Sequence, residues 1–157
     1  MSLMAASGPF GHAPQGRFNF EPPRRKGVLY WEPSPRRVRG LLGDEVVVDS
    51  RRVMLLHETG HMPVWYFPRD DVRLELLEAS QRRTRCPWKG EASYWSVRVG
   101  EREELALVWT YTKPRREVEP IAGRLCFFNE RVDLELDGEL QERPRTQWSS
   151  DDWARGG

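Results

Sequence analysis

Twelve prolines and thirteen glycines fall every several residues along this chain and leave mostly short segments between them. Many of those segments are rich in β-branched and aromatic residues, which is the pattern of an all-β domain. PRRVRG and DEVVVDS read as two strands joined by a turn around Gly40–Gly43. RRVMLLHE, Arg51–Glu58, reads as a buried strand that TGHMP breaks. VWYF, Val64–Phe67, is its expected hairpin partner. PRDDV predicts one helical turn, with Pro68 placed to begin it. RLELLEAS reads as a further strand. SYWSVRVG alternates, with Trp95, Val97 and Val99 on one face and Tyr94, Ser96 and Arg98 on the other. LALVWTYT, Leu105–Thr112, is the most continuous strand of the chain. IAGRLCFF and RVDLELDGEL supply the last strands, with a turn at Asp137-Gly138. No repeat appears, and no amphipathic helix exceeds two turns.

The domain plan follows from these signals. Residues 1–26 read as a flexible basic tail, 27–142 as one β domain, and 143–157 as a polar tail that Trp148 or Trp153 anchors. At 157 residues the chain fits one domain with tails. The charged fraction of 31% is high, but seven tryptophans, six phenylalanines and four tyrosines supply enough burial for a core. No apolar run spans a membrane, and the N-terminus lacks the basic and apolar regions of a signal peptide. The expected location is cytoplasmic. Two cysteines, Cys86 and Cys126, are too few for a disulfide framework or a four-cysteine zinc site. No cofactor is expected, and nothing in the pattern specifies an oligomer.

Charge is distributed unevenly along the chain. Arg17–Arg39 holds seven basic and two acidic residues, and Glu117–Glu142 holds eight acidic and two basic. Two such segments face each other or form separate solvated faces. The alternative is a docking patch for a partner. The basic run lacks an aromatic RNA-binding signature and a helix-turn-helix, which argues against nucleic acid.

Several motifs carry chemistry. His57-Glu58-Thr59-Gly60-His61 matches H-E-x-x-H, the zinc protease pattern, which requires a helix so that both imidazoles share one face. Gly60, Pro63 and the strand-like flanks remove that helix, and an extended chain holds the histidines about 13 Å apart. Asp133, Glu135 and Asp137 form a carboxylate row of the kind that holds Mg²⁺, but Val132, Leu134 and Leu136 then face the core and the acids face solvent. Cys86 stands near Arg83, Arg85 and Lys89, and cations favour a thiolate nucleophile. It equally suits a small buried side chain before a turn. Lys89-Gly90 offers a point charge beside a flexible backbone. Trp109 and Tyr111 share a strand face with Leu105 and Leu107, and aromatics with polar tips line concave sites.

Taken together, VVDSRR, HETGHMPVWYFPRDDVRLELLEAS, TRCPWKGEASYWSVRVG, VWTY and IAGRLCFFNERVD resemble, in order and spacing, the bacterial family called domain of unknown function 427. The resemblance runs from about Leu29 to Asp133. GVLYWEPSPRRVRG is similar to the lead-in strand of a subgroup that often carries two copies. The resemblance implies a single β-tent-like, Mss4-like domain: two antiparallel sheets pinned at one edge, with a cleft between them and few helical turns. Related proteins hold zinc with two cysteine pairs, which this chain lacks. The family is sometimes labelled nucleotidyltransferase-like, but no Gly-Ser motif precedes an acidic pair here. The family pattern T-x-C-P-x-K-G-x-A-x-Y is met by Thr84, Cys86, Pro87, Lys89, Gly90, Ala92 and Tyr94. Asp49, Ser50 and Arg51 meet D-S-R; Glu58, Thr59 and Gly60 meet E-T-G; Tyr66, Phe67 and Pro68 meet Y-F-P; Trp109 and Tyr111 meet W-x-Y.

The leading functional expectation is a cleft between the sheets that binds a small ligand, with an anion in view. Tyr66, Tyr94, Trp109 and Tyr111 would line it, Arg51 and Lys89 would supply positive charge, Glu58 would accept, and Thr84 and Cys86 would border it. The second is an enzyme with Cys86 and Lys89 as catalytic groups, in thiol, redox or group-transfer chemistry. The third is a protein-interaction module.

Overall fold

The computed structural model describes residues 16–21, 27–150 and 152. The tail expected over 1–26 lies mostly outside the described residues, as does Trp153. Eleven antiparallel strands appear among the described residues. They are β1 (Leu29–Pro33), β2 (Val38–Leu42), β3 (Glu45–Ser50), β4 (Met54–Glu58), β5 (Val64–Phe67) and β6 (Leu77–Cys86), followed by β7 (Gly90–Val99), β8 (Arg102–Thr110), β9 (Leu125–Phe127), β10 (Asp133–Leu136) and β11 (Glu139–Leu140). One sheet has seven strands in the order β1-β4-β5-β9-β8-β7-β6, and the other has four in the order β11-β10-β2-β3. The protein is therefore mainly β, with two antiparallel sheets and only short 3₁₀ turns. Among the described residues no helix is long and apolar enough to cross a membrane.

The expected hairpins form. β4 pairs β5 with Met54 opposite Tyr66. Arg69–Asp71 makes the turn expected after Pro68. Several boundaries differ from the sequence reading: β2 runs through Gly40 to Leu42, β8 starts at Arg102 and ends at Thr110, and Ile121 belongs to a 3₁₀ turn ahead of β9. β4 starts at Met54, because Arg51 and Arg52 form a bend in which the Ser50 hydroxyl accepts the Arg52 N–H at 3.0 Å. RLELLEAS opens as a 3₁₀ turn over Leu74–Leu76 before β6 begins. There the Arg73 N–H donates to the Val47 carbonyl at 3.0 Å, and Val72 bridges Val48. This segment covers the free edge of β3, which would otherwise present unpaired backbone groups.

Part of the uneven charge meets across neighbouring strands, while Arg24, Arg25 and Lys26 of the basic run lie outside the described residues. β2 lies beside β10 in the smaller sheet. Arg36 meets Asp137 at 3.0 Å and Arg39 meets Glu135 at 3.1 Å. Asp133 is held by Arg143 at 2.7 Å. The acidic row is thus paired with arginine along its length, while Val132, Leu134 and Leu136 are buried behind it. Close packing under these pairs depends on Gly40, where an added Cβ would meet Val48 Cγ1 at 2.8 Å.

Alternation in β7 is not clean, and the reason lies in its neighbours. Between Ala79 and Arg83, four residues of β6 advance against two of β7; between Glu104 and Val108, four residues of β8 advance against two of β7. These two bulges leave Ser96 and Val97 both buried. Ala106, inside the β8 bulge, takes a left-handed φ of 47°, which costs a residue with a Cβ about 1–2 kcal/mol. The bulge is clamped: the Ala106 N–H donates to Ser96 Oγ at 3.0 Å, and Arg131 donates to the Leu105 and Ala106 carbonyls at 2.9 and 3.1 Å. Arg131 is buried, and its guanidinium lies 5.0 Å from the Phe128 ring centroid.

Replacing Arg131 removes a charged donor from the Leu105 and Ala106 carbonyls. Arg131→Met should lower unfolding stability by about 2–4 kcal/mol. Urea denaturation checks this; an unchanged midpoint would mean the β8 bulge holds without the clamp.

Candidate functional site

In an antiparallel sheet, residues directly opposite each other share a face. The register of the larger sheet sets Tyr94 of β7 opposite Trp109 of β8, Trp109 opposite Cys126 of β9, and Cys126 opposite Tyr66 of β5. One row of side chains thus runs across four strands. β4 adds Leu56 and Glu58 at alternate positions. The turn between β6 and β7 adds Lys89, and loops at Gly60–Met62, Phe128–Glu130 and Thr146–Trp148 complete the wall. These residues enclose a cavity of about 270 Å³.

Aromatic side chains dominate it. Trp109 donates its indole N–H to Tyr66 Oη at 3.0 Å, and the two rings meet edge to face, with centroids 6.3 Å apart. Trp109 also packs on Phe128 at 4.6 Å. Trp148 stacks between His61 and Phe128, at 6.3 and 6.5 Å. The Tyr94 and Thr84 hydroxyls lie 2.8 Å apart. Burial pushes the Tyr66, Tyr94 and Tyr111 phenols above their ordinary range, and it pushes the Cys126 thiol far up as well. All four groups stay protonated near neutral pH.

The one buried ion pair of this wall joins Lys89 Nζ to Glu58 Oε2. Both side chains are nearly enclosed, at 10% and 12% exposure. Lys89 Nζ also lies 5.8 Å from the Tyr111 ring centroid, in reach of a cation–π interaction. The turn that delivers Lys89 is locked from behind. The Lys89 carbonyl accepts the Arg115 N–H at 2.9 Å. Gly90 has φ +113°, and a Cβ there would sit 3.4 Å from the Lys113 carbonyl oxygen, so glycine suits the position twice over.

Six of the nine residues expected from the sequence line this cavity: Glu58, Tyr66, Lys89, Tyr94, Trp109 and Tyr111. Thr84 stands behind Tyr94 as its hydrogen-bond partner. Cys86 is half-buried, pairs with Gly90 across the β6–β7 turn, and is not among the lining residues. Arg51 does not join the site: it is exposed in the bend after β3, where its charge acts on Asp49 and Asp137. The location also differs from expectation. Every strand that lines the cavity belongs to the seven-stranded sheet, so the cavity occupies one face of that sheet rather than the space between the two. The positive charge expected from Lys89 arrives already matched by Glu58. His57 and His61 diverge: His57 packs against Tyr30 and Glu32, and His61 against Trp148.

Sequence reasoning missed Phe128, Glu130 and Thr146 as wall residues. Phe128 carried a signal, since it lies two residues past Cys126 and follows the same face. Trp148 was expected only as an anchor in a polar tail. That segment folds back instead: the Thr146 hydroxyl donates to Glu130 Oε1 at 2.8 Å and accepts the Trp148 N–H at 3.1 Å.

A family model described as a domain of unknown function (DUF427), which carries a nucleotidyltransferase label, matches residues 30–138. The chain belongs to this family. No curated protein matches it.

Two predictions test the site's energetics. Lys89→Met leaves the Glu58 carboxylate enclosed and unpaired and should cost about 3–5 kcal/mol, whereas Lys89→Met with Glu58→Leu should recover most of it. Chemical denaturation of the two variants decides; equal losses would mean the pair is not coupled. The second concerns alkaline pH. The Tyr66 and Tyr111 phenols are raised above 10.0, first by burial, so the folded chain keeps protons that the unfolded chain releases. Stability is full below about pH 10 and falls above it, by about 1.4 kcal/mol per pH unit for each phenol. Tyr111→Phe should shallow that fall in urea titrations between about pH 9 and 11; a slope equal to wild type would show that Tyr111 ionises freely in the fold.

Proposed function

We propose that this member of the DUF427 family binds a small organic molecule in the aromatic cavity of its larger sheet, with the Glu58–Lys89 pair as the polar anchor. One observation carries the reading. Glu58, Tyr66, Tyr94 and Trp109 from four strands, with Lys89 and Tyr111 from two connecting segments, converge on a single cavity of about 270 Å³. Apolar walls with a few convergent polar groups are what a small-molecule site requires.

Energetics support it. An empty space inside a protein costs stability, and well-packed hydrophobic side chains would usually serve stability at least as well as an enclosed ion pair. A cavity that keeps both is poorly explained by folding alone. Cys86 chemistry finds less support, because a nucleophile must reach the bound molecule and this thiol stands outside the wall.

The test is a fragment titration followed by nuclear magnetic resonance, with the Trp109 indole N–H as reporter. Saturable shifts of the Trp109 and Tyr94 signals are expected, and Val64→Phe, which fills the cavity from β5, should abolish them. A library that moves no cavity signal at millimolar concentration, or moves signals elsewhere that Val64→Phe leaves intact, would overturn the proposal.

A further inference from the structure

We infer that the cavity selects an organic cation, of the ammonium class, over an anion or a neutral molecule of the same shape. The inference rests on the binding site proposed above and adds the charge of its occupant. Four side chains able to carry charge line the cavity: Glu58, Glu130, Lys89 and His61. Lys89 is consumed by Glu58. A lysine held this way cannot serve a second anion without giving up its carboxylate, and an enclosed unpaired carboxylate is costly. Glu130 is different. Its Oε1 accepts only a neutral hydroxyl, that of Thr146, and among the described residues no lysine, arginine or histidine forms an ion pair with it. The wall thus sets two carboxylates, Glu58 and Glu130, against one lysine ammonium.

The rings act in the same direction. Tyr66, Tyr94, Trp109, Tyr111, Phe128 and Trp148 all contribute to the wall. Aromatic faces carry partial negative charge and attract a cation within about 6 Å, and more strongly where water is excluded. One such contact is built in: the Lys89 ammonium rests 5.8 Å from the Tyr111 ring centroid beside a carboxylate. A ligand ammonium near Glu130 and Trp148 would repeat that arrangement, while the Phe128 ring already carries the Arg131 guanidinium at 5.0 Å.

The test compares choline with 3,3-dimethyl-1-butanol, its uncharged isostere, and with inorganic phosphate, by titration of the full chain with the Trp109 indole as reporter. Choline is expected to bind at least about tenfold more tightly than the isostere, the size of a partly desolvated cation–π contribution. Glu130→Gln should weaken choline several-fold and leave the isostere unchanged. Trp148→Phe, which keeps a ring, should weaken choline less than Trp148→Leu. Equal affinity for choline and the isostere, tighter binding of phosphate, or no choline binding at the cavity would each overturn cation selection. In the first two cases the binding site itself still stands; only a cavity that takes up no molecule of any charge removes both.

Discussion

The contact between Lys89 and Glu58 constrains the shape of the whole larger sheet. Glu58 ends β4, and Lys89 immediately precedes β7; three strands, β5, β9 and β8, lie between them. Strands spaced about 4.8 Å apart would set β4 and β7 about 19 Å apart in a flat sheet, beyond the combined reach of a lysine and a glutamate. The sheet must therefore curl. β-bulges supply the local bend and extra twist that curling needs, and the two found here flank β7 on both sides. The Arg131 clamp on the β8 bulge is thus linked to the site through sheet curvature, although Arg131 does not line the cavity. The curl leaves a concave face, and the aromatic row lies along it.

Stability comes from elsewhere. Phe67 and Phe127 meet edge to face with centroids 5.8 Å apart, and Leu107, Ile121 and Leu125 are almost fully enclosed. The arginine–carboxylate pairs between β2 and β10 are partly exposed, and such pairs contribute about 0–1 kcal/mol each. Their value lies more in register than in energy, since they fix which residue of β2 faces which residue of β10. The chain therefore separates two tasks. A close-packed core holds the sheets, and one face of the larger sheet keeps space and charge that the core does not need.

Much of this was legible in the sequence because it depends on period and punctuation. Alternation placed Trp109 with Tyr111, and Gly-Pro spacing marked the short strands and the β4–β5 hairpin. What failed depends on distant contacts. A bulge of two extra residues in β8 leaves no local mark; it persists because Ser96 and Arg131, ten and twenty-five residues away, take up the backbone groups of Ala106. The 3₁₀ turn at Leu74–Leu76 overrides a strand pattern because Arg73 is tied to β3. Arg51 offers a charge in a family motif, but the motif marks a bend, and proximity along a motif does not place a side chain at a site. The polar C-terminal segment concealed Trp148 because its partners, His61 and Phe128, are far away in sequence.

The carboxylate row Asp133, Glu135 and Asp137 bears on the nucleotidyltransferase label of the family. Two-metal nucleotidyl transfer needs carboxylates free to coordinate and placed beside the substrate. These three belong to β10 and its following turn, in the smaller sheet, and each is engaged by an arginine: Arg143, Arg39 and Arg36. The cavity lies on the larger sheet and draws its carboxylates from Glu58 and Glu130 instead. One of those is matched by a lysine and the other bonds a hydroxyl, amid rings rather than open oxygen ligands. The proposed cation site would use this wall differently from a two-metal centre: aromatic faces would supply most of the contact, and Glu130 would supply the charge.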